Sequence, residues 1–354
     1  MKWKVACIQT NPVIGQIESN IAKVRKILSH VLEVDLVVLP ELAITGYNFE
    51  SKSAIKPYLE SQELGGNSIN LAKEISNKYK CFTLIGYPEL NNNKIYNSAI
   101  LIGPNGKSIE NYRKSFLYDT DEVWGCEENP EKGFKSFKLV LDRDYYFNNN
   151  HLLTKNWKSI TTNIGICMDL NPYKFESPFN NFEFSTSCYL QQLKLIICPM
   201  AWLSPLSPDV DKSLDPNSVA QVSKSFEKYF DINNKLTINK EKNMNFTYDE
   251  DNFNGDYQPF VPQIPNFSTL NYWMIRFMPF LNNPPSKPKY YQKINLIICN
   301  RVGKEKNTVY TGSSLIIQFK PNETSNLDSS IDILGSLGQG DEGVLIREID
   351  LEVD

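Results

Sequence analysis

Histidine is nearly absent from this chain, with only His30 and His151 among 354 residues. His30 falls in an amphipathic helical stretch and His151 in an Asn-rich loop. Neither has the strand-end setting of a Cys–His dyad, and a histidine-rich metal site is excluded. An excess of charge is also lacking. Lys and Arg number 37 against 41 Asp and Glu, a formal net charge of −4 with no basic tail. That balance argues against nucleic acid or an anionic membrane surface as the main partner. No apolar run reaches the length of a membrane span. The start, Met1-Lys2-Trp3-Lys4, enters a strand at once and leaves no room for a leader or transit segment. The seven cysteines (Cys7, Cys81, Cys126, Cys167, Cys188, Cys198 and Cys299) contain no Cys-x-x-Cys pair. An odd, scattered set is neither a disulfide framework nor a zinc ribbon. The expectation is reduced packing thiols in a reducing, cytoplasmic compartment.

What is present is enough chain for a sizeable core and a regular alternation of elements. Lys4 to Gln9 reads as a strand, and Ile17, Ile21, Val24, Leu28 and Val31 recur at helical spacing. Continuous apolar runs at Asp35 to Leu39 and Leu193 to Pro199 read as strands buried on both faces. A helix is expected over Ser68 to Tyr79, with strands at Phe82 to Gly86, Tyr96 to Ile102, Ser136 to Leu141 and Thr161 to Ile166. Beyond these come helices over Phe184 to Gln192 and Phe267 to Leu281, and strands at Ile294 to Cys299, Ser313 to Phe319 and Val344 to Ile349. From about 203 to 265 the chain is rich in Asn, Asp, Ser and Pro with little apolar periodicity. It reads as a long insertion too poor in apolar residues to form its own core. The whole predicts a single α/β domain, 1–354, whose sheets face each other beneath outer helices.

Three reactive residue types end apolar or extended segments. Glu41 follows Val37-Val38-Leu39-Pro40, Lys114 closes Tyr112-Arg113-Lys114, and Cys167 follows Thr161 to Ile166. Singly these are a turn glutamate, a surface lysine and a packing cysteine. Together they supply cysteine-based amide hydrolysis without histidine. A carboxylate takes the thiol proton, and an ammonium holds the thiolate and then the oxyanion. The Met168 backbone N–H is placed as a second oxyanion donor. A further carboxylate would orient Lys114 and help position water, with Glu127 and Glu128 the alternatives. No metal or organic cofactor is required.

At these residues the chain resembles the nitrilase, or carbon–nitrogen hydrolase, superfamily. Val38-Leu39-Pro40-Glu41 with Thr45-Gly46-Tyr47 resembles its glutamate motif, Tyr112-Arg113-Lys114 its lysine motif, and Gly165-Ile166-Cys167-Met168-Asp169 its nucleophile motif. Ile95 to Ala99, Pro199 to Trp202, Cys299 to Gly303 and Thr311 to Ser314 match supporting stretches in order. The resemblance implies a nitrilase-like αββα four-layer sandwich. Tyr112 to Tyr118, Trp124 to Pro130 and Gly165 to Glu176 resemble a fungal branch that hydrolyses the side-chain amide of an N-terminal Asn or Gln. That implies protein or peptide N-termini as substrate, with products that feed N-terminal-residue-dependent degradation. Such specificity needs a carboxylate for the α-ammonium, and Asp169 is one candidate; its other reading is a local turn stabiliser. Trp124 and Trp202 are candidates for the pocket wall. The alternatives are a small-molecule ω-amidase or carbamoylase of the same superfamily and a silent binding scaffold. The oligomeric state stays open.

Overall fold

In the first strand, Lys2–Gln9, Trp3, Val5 and Cys7 point to one side and Ala6 and Ile8 to the other, and all five are buried. Side chains alternate along a strand, so a strand buried on both faces must lie between two apolar layers. The computed structural model describes residues 1–147, 156–210, 213–230, 236–240, 259–281, 293–320 and 331–353. Within them run β1 (Lys2–Gln9), β2 (Leu36–Val38), β3 (Phe82–Asn91), β4 (Lys94–Ile102), β5 (Ser108–Arg113), β6 (Phe137–Val140), β7 (Ser159–Ile164) and β8 (Leu195–Met200). They are followed by β9 (Thr237–Asn239), β10 (Ile294–Asn300), β11 (Val302–Glu305), β12 (Thr308–Thr311), β13 (Leu315–Phe319), β14 (Ile331–Ser336) and β15 (Gly343–Asp350).

Seven strands form one sheet in the order β5-β4-β3-β2-β1-β15-β9, and six form a second in the order β14-β13-β10-β8-β7-β6. Trp3, Val5 and Cys7 share a core with Leu195, Ile197, Leu296 and Ile298 of the second sheet. Ala6 and Ile8 instead meet Val24, Ile27 and Leu28 of helix Ile17–Leu28 and Ile69, Ala72 and Ile75 of helix Asn67–Tyr79. Helices Glu183–Leu190 and Phe267–Ile275 add Phe184, Tyr189, Leu270 and Trp273 to the core of the second sheet. The result is the expected αββα sandwich. Its parallel strands β2, β7 and β8 end in irregular chain, the usual place for chemistry in an α/β sheet.

Four expectations change. Helix Ile17–Leu28 stops before His30, and the strand ahead of Cys167 ends at Ile164; His151 lies outside the described residues. The single helix expected over Phe267 to Leu281 is two, Phe267–Ile275 and Met278–Leu281. Pro279 cannot supply the N–H that a continuous helix would need. The segment read as lacking periodicity holds helix Pro216–Ser225, started by the Asp215 carboxylate on the N–H groups of Asn217 and Ser218. It also holds β9, which pairs in parallel with the start of β15. No helix among the described residues is long and apolar enough to cross a membrane.

Candidate active site

Beyond β2 the chain turns at Pro40-Glu41 and is pinned to β3 by Leu39 N–H on the Leu84 carbonyl (2.9 Å) and Gly86 N–H on the Pro40 carbonyl (3.1 Å). The approach is so close that a Cβ at Gly86 would lie 2.6 Å from Glu41 Cα and 2.7 Å from the Pro40 oxygen. Glycine at 86 therefore fixes where Glu41 stands. Lys114 follows β5 directly, its N–H donating to the Asn97 carbonyl of β4 at 2.8 Å. The chain then enters the short helix Asp119–Val123, where the Tyr118 N–H holds an Asp121 carboxylate oxygen at 2.9 Å.

These side chains converge in a fully buried cluster. Lys114 Nζ donates to Glu41 Oε1 and to Asp121 Oδ2, each at 2.7 Å. Asn97 Nδ2 bridges the same two carboxylates, at 2.7 Å to Glu41 and 2.9 Å to Asp121. The Tyr47 hydroxyl donates to Asp121 at 3.1 Å, and the Ala201 N–H to Glu41 Oε2 at 2.7 Å. Burial opposes the Lys114 ammonium, but Asp121 and Glu41 outweigh it and hold its pKa well above the usual 10.5. Two carboxylates on one ammonium leave one negative charge in excess. Burial, with Asp121 adding to it, accordingly raises Glu41 above the usual 4.5 despite Lys114. A carboxylate so raised is a better base.

Cys167 stands three residues past the end of β7 at Ile164 and opens the one-turn helix Cys167–Leu170, with a left-handed φ of +43°. A non-glycine residue rarely adopts that conformation, and here it turns the sulfur out at a strand end. Burial pushes the thiol pKa well up; Glu41 adds to this, while Lys114 and the Ala201 N–H act in the opposite sense. Burial thus favours the neutral thiol, with a carboxylate and an ammonium both within electrostatic reach. Cys167 lines a cavity of about 430 Å³ with Met168, Tyr47, Tyr118, Trp202 and Tyr272 among its walls. No cluster of metal-ligating side chains is found among the described residues.

Glu41, Lys114 and Cys167 are thus brought together, and Met168 and Trp202 face the same cavity. Four expectations need correction. Glu127 is turned outward to Lys94 at 2.7 Å, both about half exposed, and Glu128 accepts the Tyr173 hydroxyl at the surface. Asp121 takes the place foreseen for them, because the chain folds back on Lys114 within seven residues. Asp169 is buried away from the cavity, accepting the N–H groups of Ile166, Ser115 and Phe116 and the Tyr112 hydroxyl. It fastens the Cys167 turn to the Lys114 loop. Trp124 is buried against Leu42, Tyr47 and Phe49 and backs the site without lining it. Asn97, Asp121 and the Ala201 N–H escaped the sequence reading, although Asn97 and Ala201 lie inside stretches that carried the resemblance.

A thiol at a sharp strand-end turn stands beside a buried carboxylate–lysine pair, and the chain belongs to the carbon–nitrogen hydrolase family, a class of amidohydrolases. The family profile matches residues 4–165. The chain is 34% identical to the protein N-terminal amidase of Saccharomyces cerevisiae, over 99% of this chain and 95% of that relative. It is also similar to a crystal structure of an N-terminal amidase with an Asn-Glu-Ala peptide (TM-score 0.80, 30% identity, 98% of this chain and 97% of that one). A second such structure, with a Gln-Gly peptide, gives a TM-score of 0.79 at 30% identity with the same coverage.

Proposed function

We propose that this chain hydrolyses the side-chain amide of an N-terminal Asn or Gln of peptides and proteins, giving Asp or Glu and ammonia. The observation that carries the reading is the Cys167 thiol on the cavity wall, with Glu41 and Lys114 both acting on it. The near full-length similarity to N-terminal amidases, including peptide-bound structures, supports the choice of substrate.

In this reading Glu41 takes the thiol proton as sulfur attacks the amide carbon. Lys114 and the Met168 N–H stabilise the oxyanion, each such donor being worth about 2.7–4 kcal/mol where measured elsewhere. Glu41 returns the proton to the leaving nitrogen, ammonia departs and a thioester remains. Water, deprotonated by Glu41, then attacks the thioester carbon and frees the carboxylate and the thiol. Asp121 has a positioning role: by neutralising Lys114 it leaves Glu41 its charge. The products suit a pathway that degrades proteins by reading their N-terminal residue. The seven free cysteines accord with a reducing, cytoplasmic setting.

The test is ammonia release from short peptides beginning with Asn or Gln, from their N-acetylated forms, and from free asparagine. Turnover of the free N-termini alone is expected, with a substrate adduct on the intact protein after acid quench. Cys167→Ala is expected to abolish both signals. Equal rates on all three substrate types would replace this reading with a small-molecule amidase, and activity in Cys167→Ala would remove Cys167 as nucleophile.

A further inference from the structure

The residues lining the cavity include no Asp or Glu, although an enzyme that selects chain termini must meet a positive α-ammonium. With Asp169 committed to backbone N–H groups, the carboxylate that comes into question is that of Asp209, an exposed residue that immediately precedes the lining residue Val210. Two buried hydroxyls aim it. Thr308 Oγ1 donates to Asp209 Oδ2 at 2.5 Å, and Ser207 Oγ donates to Oδ1. Each hydroxyl is itself fixed, Thr308 by Asn48 Nδ2 at 2.8 Å and Ser207 by the Val309 N–H at 2.7 Å. The acidic side chains Glu41, Glu89, Asp121 and Glu305 each hold a Lys or Arg; among the described residues Asp209 has no such partner. An oriented carboxylate without a cation is a site for an incoming one.

The geometry points to Asp209 as the residue that binds the substrate α-ammonium and so restricts this hydrolase to free N-termini; the assignment rests on the function proposed above. Tyr118 on the cavity wall feels both groups that such a substrate would meet. Burial raises its phenol to about 12, and the charges of Asp209 and Cys167 both add to the shift. In an N-terminal Asn the amide carbon and the α-nitrogen are three single bonds apart, about 4 Å, and in Gln one bond more. One thiol and one carboxylate, both within electrostatic reach of Tyr118, can therefore serve both residues. Asp119, exposed like Asp209, also acts on Tyr118, but as its chain neighbour and with no hydroxyl among the described residues to aim it, so it serves as a control.

The experiment compares Asp209→Asn and Asp119→Asn with the parent enzyme on an Asn-initiated peptide and on its analogue in which hydrogen replaces the α-ammonium. Asp209→Asn is expected to raise KM for the peptide by at least about tenfold with kcat little changed, as for loss of one charge-assisted contact. Its turnover of the analogue should equal that of the parent, which also shows the variant to be folded. Asp119→Asn should match the parent on both. If Asp209→Asn keeps the parent KM for the peptide, or loses both substrates in parallel, Asp209 is not the ammonium site. If the parent enzyme itself prefers the analogue or free ω-amides, the proposed function fails first and this assignment falls with it.

Discussion

Lys114 and Lys94 each hold a carboxylate at 2.7 Å, yet one pair is wholly buried and the other about half exposed. In water the Lys94–Glu127 contact is screened and its geometry costs side-chain entropy, so such pairs contribute little. In the buried cluster no water competes, and every oxygen of Glu41 and Asp121 is met by a designed partner: Lys114, Asn97, Tyr47 or a backbone N–H. The same two residue types make a surface ornament in one place and a charged machine part in the other. Distance alone does not separate them; burial and the third partner do.

Substitutions can break that contrast. The largest effect is expected for Lys114→Met, which leaves two buried carboxylates without a cation. Turnover should fall below detection and stability by about 3–5 kcal/mol, read by denaturant unfolding. An unchanged unfolding midpoint would place the cluster with the surface pair. Next comes Asp121→Asn, which frees Lys114 to bind Glu41 alone and should lower kcat on the order of 100-fold. It also sharpens the pH dependence. In the proposed mechanism Glu41 must be ionised to act, and burial and Asp121 raise its pKa, so the acid limb of kcat/KM should lie above 4.5. Removing the Asp121 charge lowers the Glu41 pKa and moves that limb to lower pH; a limb that stays or rises would contradict the assignment. Gly86→Ala forces a methyl group against Glu41 and Pro40 and should cost about 1–3 kcal/mol, with a matching loss of rate. The smallest effects belong to Glu127→Gln and Glu128→Gln, where rates should stay within about twofold of the parent.

The layered fold was legible because periodicity reports burial: β1 and β2 are apolar on both faces and the first two long helices on one. Glu41, Lys114 and Cys167 were legible for a related reason, each being a reactive side chain at the end of such an element. Asp121 was not. Its meaning comes from a backward fold of the chain onto Lys114, and in the sequence it is one acid among Asp119, Asp121 and Glu122. Glu127 and Glu128, set in a more recognisable stretch, drew the inference outward to the surface. Of the two readings of Asp169, the turn stabiliser beside Cys167 holds and the contact with substrate does not, since proximity along the chain does not say which way a carboxylate faces. β9 was hidden because three residues with no apolar pattern become a strand only when β15 offers its edge.

That small strand ties two matters usually kept apart. The chain that leaves the cavity wall at Val210 returns, by Thr237, to cap the margin of the seven-stranded sheet along Gly343 to Leu345. Trimming this stretch to widen the entrance would therefore uncover unpaired N–H and C=O groups on β15, a template for another chain.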